Sequence, residues 1–464
     1  MGSGGLAAQV FTVLTIPIIT RLYSPESYAG WALLMSVAVV FTSIAVLRYE
    51  LAVVLPDTHE DAANVLAVCV LLTVIIAVVA ALVIYFCGQL FIGKSFQGEL
   101  SLWLWSIPPL ILLTGIYQTA LFWCTRTEEF VWYSFFQVAL PFLTIITQII
   151  LALVGFKTAG GLIIGTITGQ FASTILIGFL MYRKYGGLIA EAVHVKEMRN
   201  ALIHYRNYPL YMTPYTLIGT VRDRLIYFLL ANFSGKVLLG FYSLSARMVN
   251  LPNSLVSSAI RPVFFQKAAS SDFRSLEVPI NRILRLLVIV VVPFWIIFLF
   301  HATTLFALIF GEAWREAGFY AAILSVPAIP LLLGNWLDRA FDALGKQRLA
   351  FILELIFSLV SVVILTVAMI VFENALLAVI LQSVVMTIYY AYWLYALFNV
   401  AGFNPGRLWK LAGAVFFVAL LSATVAWLFT VTFSGLYAVV LNAIITAFAV
   451  GFFCLHQRDS LKFI

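Results

Sequence analysis

Ten ionisable residues lie inside strongly apolar stretches of this sequence. They are Arg48, Arg222, Arg224, Arg247 and Arg339, with Glu50, Asp223, Asp338, Asp342 and Glu354. A charged side chain in hydrocarbon is costly, so such residues face one another or a water-filled cavity. Guanidinium groups in that setting suit phosphate, which they grip with a fork of parallel hydrogen bonds. Carboxylates there suit the exchange of a proton or a small cation, because burial favours their neutral form.

Spacing groups these residues into stripes. Arg247, Asn250, Ser254, Ser257/Ser258 and Arg261 recur at steps of three and four, which places them on one face of a helix. That stripe fits a cavity wall; it also fits Arg261 reaching the cytoplasm while the serines pack closely on a neighbour. Tyr208, Tyr211, Tyr215, Gly219 and Arg222 share another face. Aromatic faces beside an arginine suit sugar rings and phosphate, and equally an aromatic belt at the membrane edge. Arg222, Asp223 and Arg224 are consecutive and cannot all point one way, so Asp223 is expected to neutralise a neighbour. Asn335, Asp338 and Asp342 share a face, with Arg339 beside Asp338; Glu354, Ser358 and Ser361 share another. Asp338, Asp342 and Glu354 are candidates for cation coupling, or for an ion-pair network that holds helices together. Ser36, Ser43 and Glu50 fall seven apart on a further face, with Arg48 close to Glu50. The candidate substrate contacts are therefore Arg48, Arg222, Arg224, Arg247, Asn250, Tyr211, Tyr215 and Arg339. The candidate ion-coupling groups are Glu50, Asp338, Asp342 and Glu354.

The elements that position them follow from composition. Of 464 residues 63% are apolar and 10% are charged, against about 45–50% and about 25% in soluble domains. Too little polar surface remains to cover a globule in water, which excludes a soluble enzyme and a disordered chain. An all-α polytopic membrane protein remains. Apolar runs between turn and charge signals predict about fourteen helices, over 4–20, 29–54, 62–87, 101–124, 131–154, 160–182, 208–232, 237–262, 281–310, 316–343, 349–372, 374–398, 409–431 and 434–455. The longest polar connections are expected at 183–207 and 263–280. Cys69, Cys87, Cys124 and Cys454 form no CxxC pair, so disulfides and a metal site are not expected. The first helix starts abruptly without a basic leader, which reads as a membrane helix with a truncated start rather than a signal peptide.

The net charge of +7 reports orientation rather than nucleic-acid binding. With both termini cytoplasmic, seventeen of the 27 Lys and Arg fall on cytoplasmic connections and five on the opposite side. The acidic loop 56–61 is discordant, but acids count little in this rule. An internal repeat is visible as well. Tyr23–Trp31 matches Phe233–Phe241, and Ser106–Pro108 with Leu112–Gly115 matches Ser325–Pro327 with Leu331–Gly334. Six helices separate the copies, so both have the same orientation. The expected organisation is two six-helix lobes in parallel repeat plus two C-terminal helices, with a substrate site between lobes. The boundaries are 1–182 for the N-terminal lobe, 183–207 for a cytoplasmic connection, 208–398 for the C-terminal lobe, and 399–464 for the extra helices and tail.

Other features narrow the classes. There is no Walker A sequence, so no ATP hydrolysis is expected. The largest outward connection, around 301–316, is half apolar and short for a membrane glycan transferase or ligase. No two histidines (His59, His194, His204, His301, His456) stand at metal-ligand spacing. Gly161, Gly165 and Gly169 form a double small-xxx-small motif that signals close helix packing. Prolines 17, 108, 109, 141, 252, 293, 327 and 330 suggest kinks.

The segments PIITRLYSPESYAGWALLMS, RYELAVVLP with AANVLAV, and LLANFSGKVLLGFYSLSARMVNLPNSLVSSAIRPVFFQKAA resemble the polysaccharide biosynthesis (Wzx-type) flippases. The resemblance is clearest over residues 13–270. It implies membership of a superfamily that also holds drug exporters and lipid II flippases. It further implies a non-enzymatic transporter that moves an undecaprenyl-diphosphate-linked oligosaccharide, such as an O-antigen repeat unit, to the outer leaflet of the bacterial inner membrane. No cofactor is expected beyond H+ or Na+ as coupling ion. The expected partners are the lipid-linked substrate, the bilayer and polysaccharide polymerase or assembly proteins, not nucleic acid. A drug or small-cation exporter of the same superfamily is the first alternative, and a membrane-embedded glycan transferase the second.

Overall fold

A computed structural model describes residues 2–91, 96, 98, 100–270, 273–337, 340–432 and 436–456. The described residues are all-α, with no strand among them. In chain order the helices are α1 (Gly2–Leu22), α2 (Pro25–Thr42), α3 (His59–Phe91), α4 (Ile107–Arg126), α5 (Phe130–Leu153), α6 (Ala159–Ala192), α7 (Val195–His204) and α8 (Thr213–Phe233). There follow α9 (Lys236–Ser270), α10 (Glu277–Phe310), α11 (Arg315–Gly334), α12 (Ala340–Ala343), α13 (Gln347–Ile370), α14 (Ala375–Ala401), α15 (Gly406–Thr432) and α16 (Leu436–His456). Among the described residues, ten helical segments are long and apolar enough to cross a membrane. The protein is an all-α polytopic membrane protein.

The chain divides into two compact units. One comprises Met1–Ser243 and Met369–Ala375, the other Leu244–Ala368 and Leu376–Ile464. In the first, α5 packs most extensively on α6, and α1 on α5. The glycine motif of α6 makes that approach: a Cβ at Gly165 would collide with Gln148 Cγ, and one at Gly169 with Thr144 Oγ1. In hydrocarbon such contact supplies much of the adhesion between helices, because lipid is as apolar as the helix faces. Polar bonds join it. Gln148 Nε2 donates to the Leu162 carbonyl at 3.0 Å, and Tyr23 Oη donates to the Gln148 carbonyl at 2.7 Å.

In the second unit α10 packs on α11, α15 and α16. One core there gathers Trp336, Phe341, Leu284, Leu397 and Phe398, all fully buried. His301 lies inside α10 rather than on an outward connection, because that helix runs unbroken to Phe310 and stops at Gly311, whose φ is +104°. The His301 ring is buried, with Nε2 at 3.1 Å from Asn442 Nδ2 on α16.

Several expected boundaries move. The run 29–54 is not one helix: α2 stops at Thr42 and the chain turns before a short 3-10 segment over Tyr49–Ala52. The run 316–343 divides into α11, a 3-10 turn over Asn335–Leu337, and α12. The expected connection 183–207 is mostly helical, since α6 continues to Ala192 and α7 follows. Similarly α9 reaches Ser270, shortening the connection expected at 263–280. Pro108 and Pro109 stand in the first turn of α4, where proline needs no kink. Pro17, Pro141, Pro293, Pro327 and Pro330 do lie inside helices. Cys69, Cys87 and Cys124 are free thiols, and the Cys454 side chain lies outside the described residues.

Candidate functional site

The break after α2 is the best-defined concentration of predicted residues. α2 starts cleanly, with Ser24 Oγ accepting from the Ser27 N–H at 3.3 Å and Pro25 at the first position. After Thr42 the chain passes through Leu47 and Arg48 at φ of +47° and +65°. Neither is glycine, and such left-handed residues cost about 1–3 kcal/mol each unless their surroundings hold them. The surroundings do. Arg48 Nε and Nη2 both donate to Thr216 Oγ1 on α8, at 3.1 and 3.0 Å. Thr216 directs its own hydroxyl to the Met212 carbonyl at 2.9 Å, which leaves its oxygen lone pairs for Arg48. Tyr49 Oη donates to the Leu202 carbonyl on α7 at 2.8 Å.

The third nitrogen of Arg48, Nη1, stands 3.4 Å from Glu50 Oε1. The two partners differ in access, for the Arg48 side chain is 33% exposed and that of Glu50 is 5% exposed. Glu50 Oε2 is buried without a hydrogen-bond partner in the protein. Its neighbourhood on α3 includes the Cys69 thiol, which interacts with it electrostatically and hydrogen-bonds Thr119 of α4. This arrangement presents a cationic fork at an accessible position and holds its carboxylate partner inside.

α8 carries the next group. A turn of π-helix over Tyr208–Met212 precedes it and inserts one residue into the helical count. The expected tyrosine face is therefore not uniform: Tyr211 and Tyr215 are exposed, Tyr208 is half-buried, and Arg222 is buried. Arg222 Nε pairs with Asp223 Oδ1 at 2.9 Å. Arg224 lies over the Tyr227 ring, 5.6 Å from its centroid.

In the second unit Arg247 is half-buried on α9, and Asn250 is exposed with its amide donating to the Ala246 carbonyl at 2.8 Å. Further along α9 a polar knot forms: Arg261 Nη2 donates to the Asn335 carbonyl at 3.2 Å. Asn335 Nδ2 donates to Asn253 Oδ1 and Ser257 Oγ at 3.3 and 3.1 Å. Glu354 is buried on α13, accepting from Tyr389 Oη of α14 at 2.5 Å and from Ser358 Oγ at 3.2 Å. Asp338 and Arg339 lie outside the described residues, as does the side chain of Asp342 in α12.

Three partners escape the sequence reading. Thr216 and Tyr389 become significant only through tertiary contact with Arg48 and Glu354. Asn253 sits one turn before Ser257, and a step of four fits it to the α9 stripe as well as three and four fit Asn250. Pattern alone does not choose between the two. Among the described residues no group of three or more His, Cys, Asp or Glu stands placed to hold a metal ion.

Comparison with known proteins adds four findings. No curated protein sequence matches the chain. A solved structure of the lipid II flippase MurJ, inward closed, superposes with a TM-score of 0.73 at 14% identity, covering 98% of this chain and 99% of that one. An inward-facing multidrug resistance MATE family transporter of the MOP superfamily gives 0.60 at 13% identity, over 86% of this chain and 99% of that one. At these identities the likeness concerns the fold. The sequence model of the polysaccharide biosynthesis protein family matches residues 18–318, and the chain belongs to that family.

Proposed function

We propose that the protein moves an undecaprenyl-diphosphate-linked oligosaccharide, an O-antigen or other surface-polysaccharide repeat unit, from the inner to the outer leaflet of the bacterial inner membrane. Transport proceeds by alternating access, with both termini cytoplasmic and without catalysis. Membership of the polysaccharide biosynthesis family over residues 18–318 is the observation that carries this reading. The accessible Arg48 fork adds to it, since a diphosphate is the part of such a cargo that a guanidinium recognises. Arg48, Arg222, Arg224, Arg247 and Arg339 hold diphosphate or acidic sugars, while Tyr211, Tyr215 and Asn250 meet sugar rings and hydroxyls. Glu50, Asp338, Asp342 and Glu354 couple movement to a gradient of H+ or Na+. Polysaccharide polymerase or assembly proteins receive the product.

A drug or small-cation exporter with this fold would present carboxylates to its cargo, and α1 carries none. Thermal unfolding of the purified protein in detergent separates the two readings. A short-chain polyprenyl-diphosphate disaccharide is expected to raise the midpoint, and R247A to abolish that rise without lowering the unliganded midpoint. Stabilisation by cationic dyes alone would replace the carrier reading with the exporter reading.

A further inference from the structure

The pairing of Arg48 with Glu50 is unequal in a way that bears on coupling. Two of the three guanidinium nitrogens are anchored on Thr216 at 3.0–3.1 Å, and only Nη1 reaches Glu50, at 3.4 Å. Nη1 can therefore change partner while the other two nitrogens keep Arg48 in place. The exposed side of the pair is the cation, and the enclosed side is a carboxylate with one oxygen unpartnered. Among the described residues, the charged or titratable groups that interact with Glu50 are Arg48 on its own segment and the Cys69 thiol on α3. α4 contributes the neutral Thr119 and α8 the neutral Thr216. No second cation among these waits to replace Arg48. An enclosed carboxylate that loses its only counter-charge becomes neutral by binding a proton.

We propose that a disubstituted diphosphate takes Arg48 Nη1 from Glu50, and that Glu50 then binds one proton, so that anion loading and proton uptake are a single linked event. The Nη1–H contact to Glu50 Oε1 breaks and a contact from Nη1–H to a phosphate oxygen forms. The proton comes from water at the partly exposed Arg48 side of the pair, and it settles on the Glu50 carboxylate. Departure of the anion restores the ion pair and returns the proton to water. This rests on the carrier reading above, names H+ as the ion exchanged at this position, and assigns Glu50 the role of sensing whether Arg48 is occupied.

Calorimetry on the full-length purified protein tests the proposal. The ligands are a farnesyl-diphospho-N-acetylglucosamine and, as the soluble source of the same chemistry, a nucleotide diphospho-sugar. Each phosphate of these ligands carries one ester and one anhydride bond and has no group that titrates near neutral pH, so any proton taken up belongs to the protein. Titration in two buffers of different ionisation heat is expected to show uptake of about one proton per lipid ligand, with affinity falling about tenfold per pH unit across the range in which that uptake occurs. E50Q is expected to bind with no uptake and no pH dependence, and T216V to bind more weakly with uptake retained. Infrared difference spectra of the unmodified protein should gain a protonated-carboxyl band on loading. Binding without proton uptake, or uptake that persists in E50Q, overturns the exchange while leaving the carrier reading intact. Equal binding of the nucleotide sugar would assign the fork to soluble diphosphates instead of lipid. Failure to bind either ligand overturns the carrier reading itself.

Discussion

Among the described residues, the ionisable side chains identified by their apolar surroundings differ in how far they are enclosed. Arg48 is the partly exposed member of its pair, whereas Arg222 is 7% exposed and Glu354 is 6% exposed. Tyr389 Oη donates to the buried Glu354 carboxylate, and Y389F removes that bond. That variant is expected to lose about 1–3 kcal/mol of stability, read by denaturant unfolding in detergent; unchanged stability would mean that Glu354 does not need the bond. The residue types were legible in the sequence because charge inside an apolar run is conspicuous. Their partners were not, since Thr216 is 168 positions from Arg48 and Tyr389 is 35 from Glu354. Hydroxyls of that kind are common in membrane helices, and only packing selects the ones that matter.

At the scale of elements, periodicity located the helices and tertiary grip reset their ends. Leu47 and Arg48 are both good helix formers, so nothing local signals the break after α2. The left-handed pair is held by bonds from Arg48 to α8 and from Tyr49 to α7. The glycines of α6 were readable directly, because their spacing of four has one physical use. G169V places a branched side chain where the Cβ alone meets Thr144, and it is expected to reduce the yield of monodisperse protein by several-fold on size exclusion. Wild-type yield would show that α5 and α6 can separate without consequence. A second test lies at the turn between α4 and α5, where Glu129 accepts from Lys184 and from Tyr185 Oη, the latter at 3.2 Å. The Lys184 bond holds the Glu129 carboxyl below the usual carboxylate value of 4.5. The stability it contributes is present above that value and is lost as pH falls through the lowered one. The difference in thermal midpoint between wild type and K184M should thus exist near neutral pH and vanish in acid. A difference that grows in acid would contradict the assignment.

The molecule as a whole has an apolar composition that states its solvent but leaves its orientation to a minority of charges. We propose from the bias of cations that the connection at Lys157 lies outside and α7 inside. In a background without native cysteines, K157C is expected to react with an impermeant maleimide in intact cells, and K196C only after lysis; the reverse pattern would invert the topology. We propose that the protein carries a lipid-linked anionic glycan across the bilayer. The measurement that meets it most directly is the appearance of an undecaprenyl-diphosphate-linked oligosaccharide in the far leaflet of protein-loaded vesicles, read by an impermeant lectin. Wild-type protein should deliver the glycan well above protein-free vesicles, and R48A and R247A, inserted in equal amount, should not. Delivery by both variants at the wild-type rate, or none by wild type, would contradict the account.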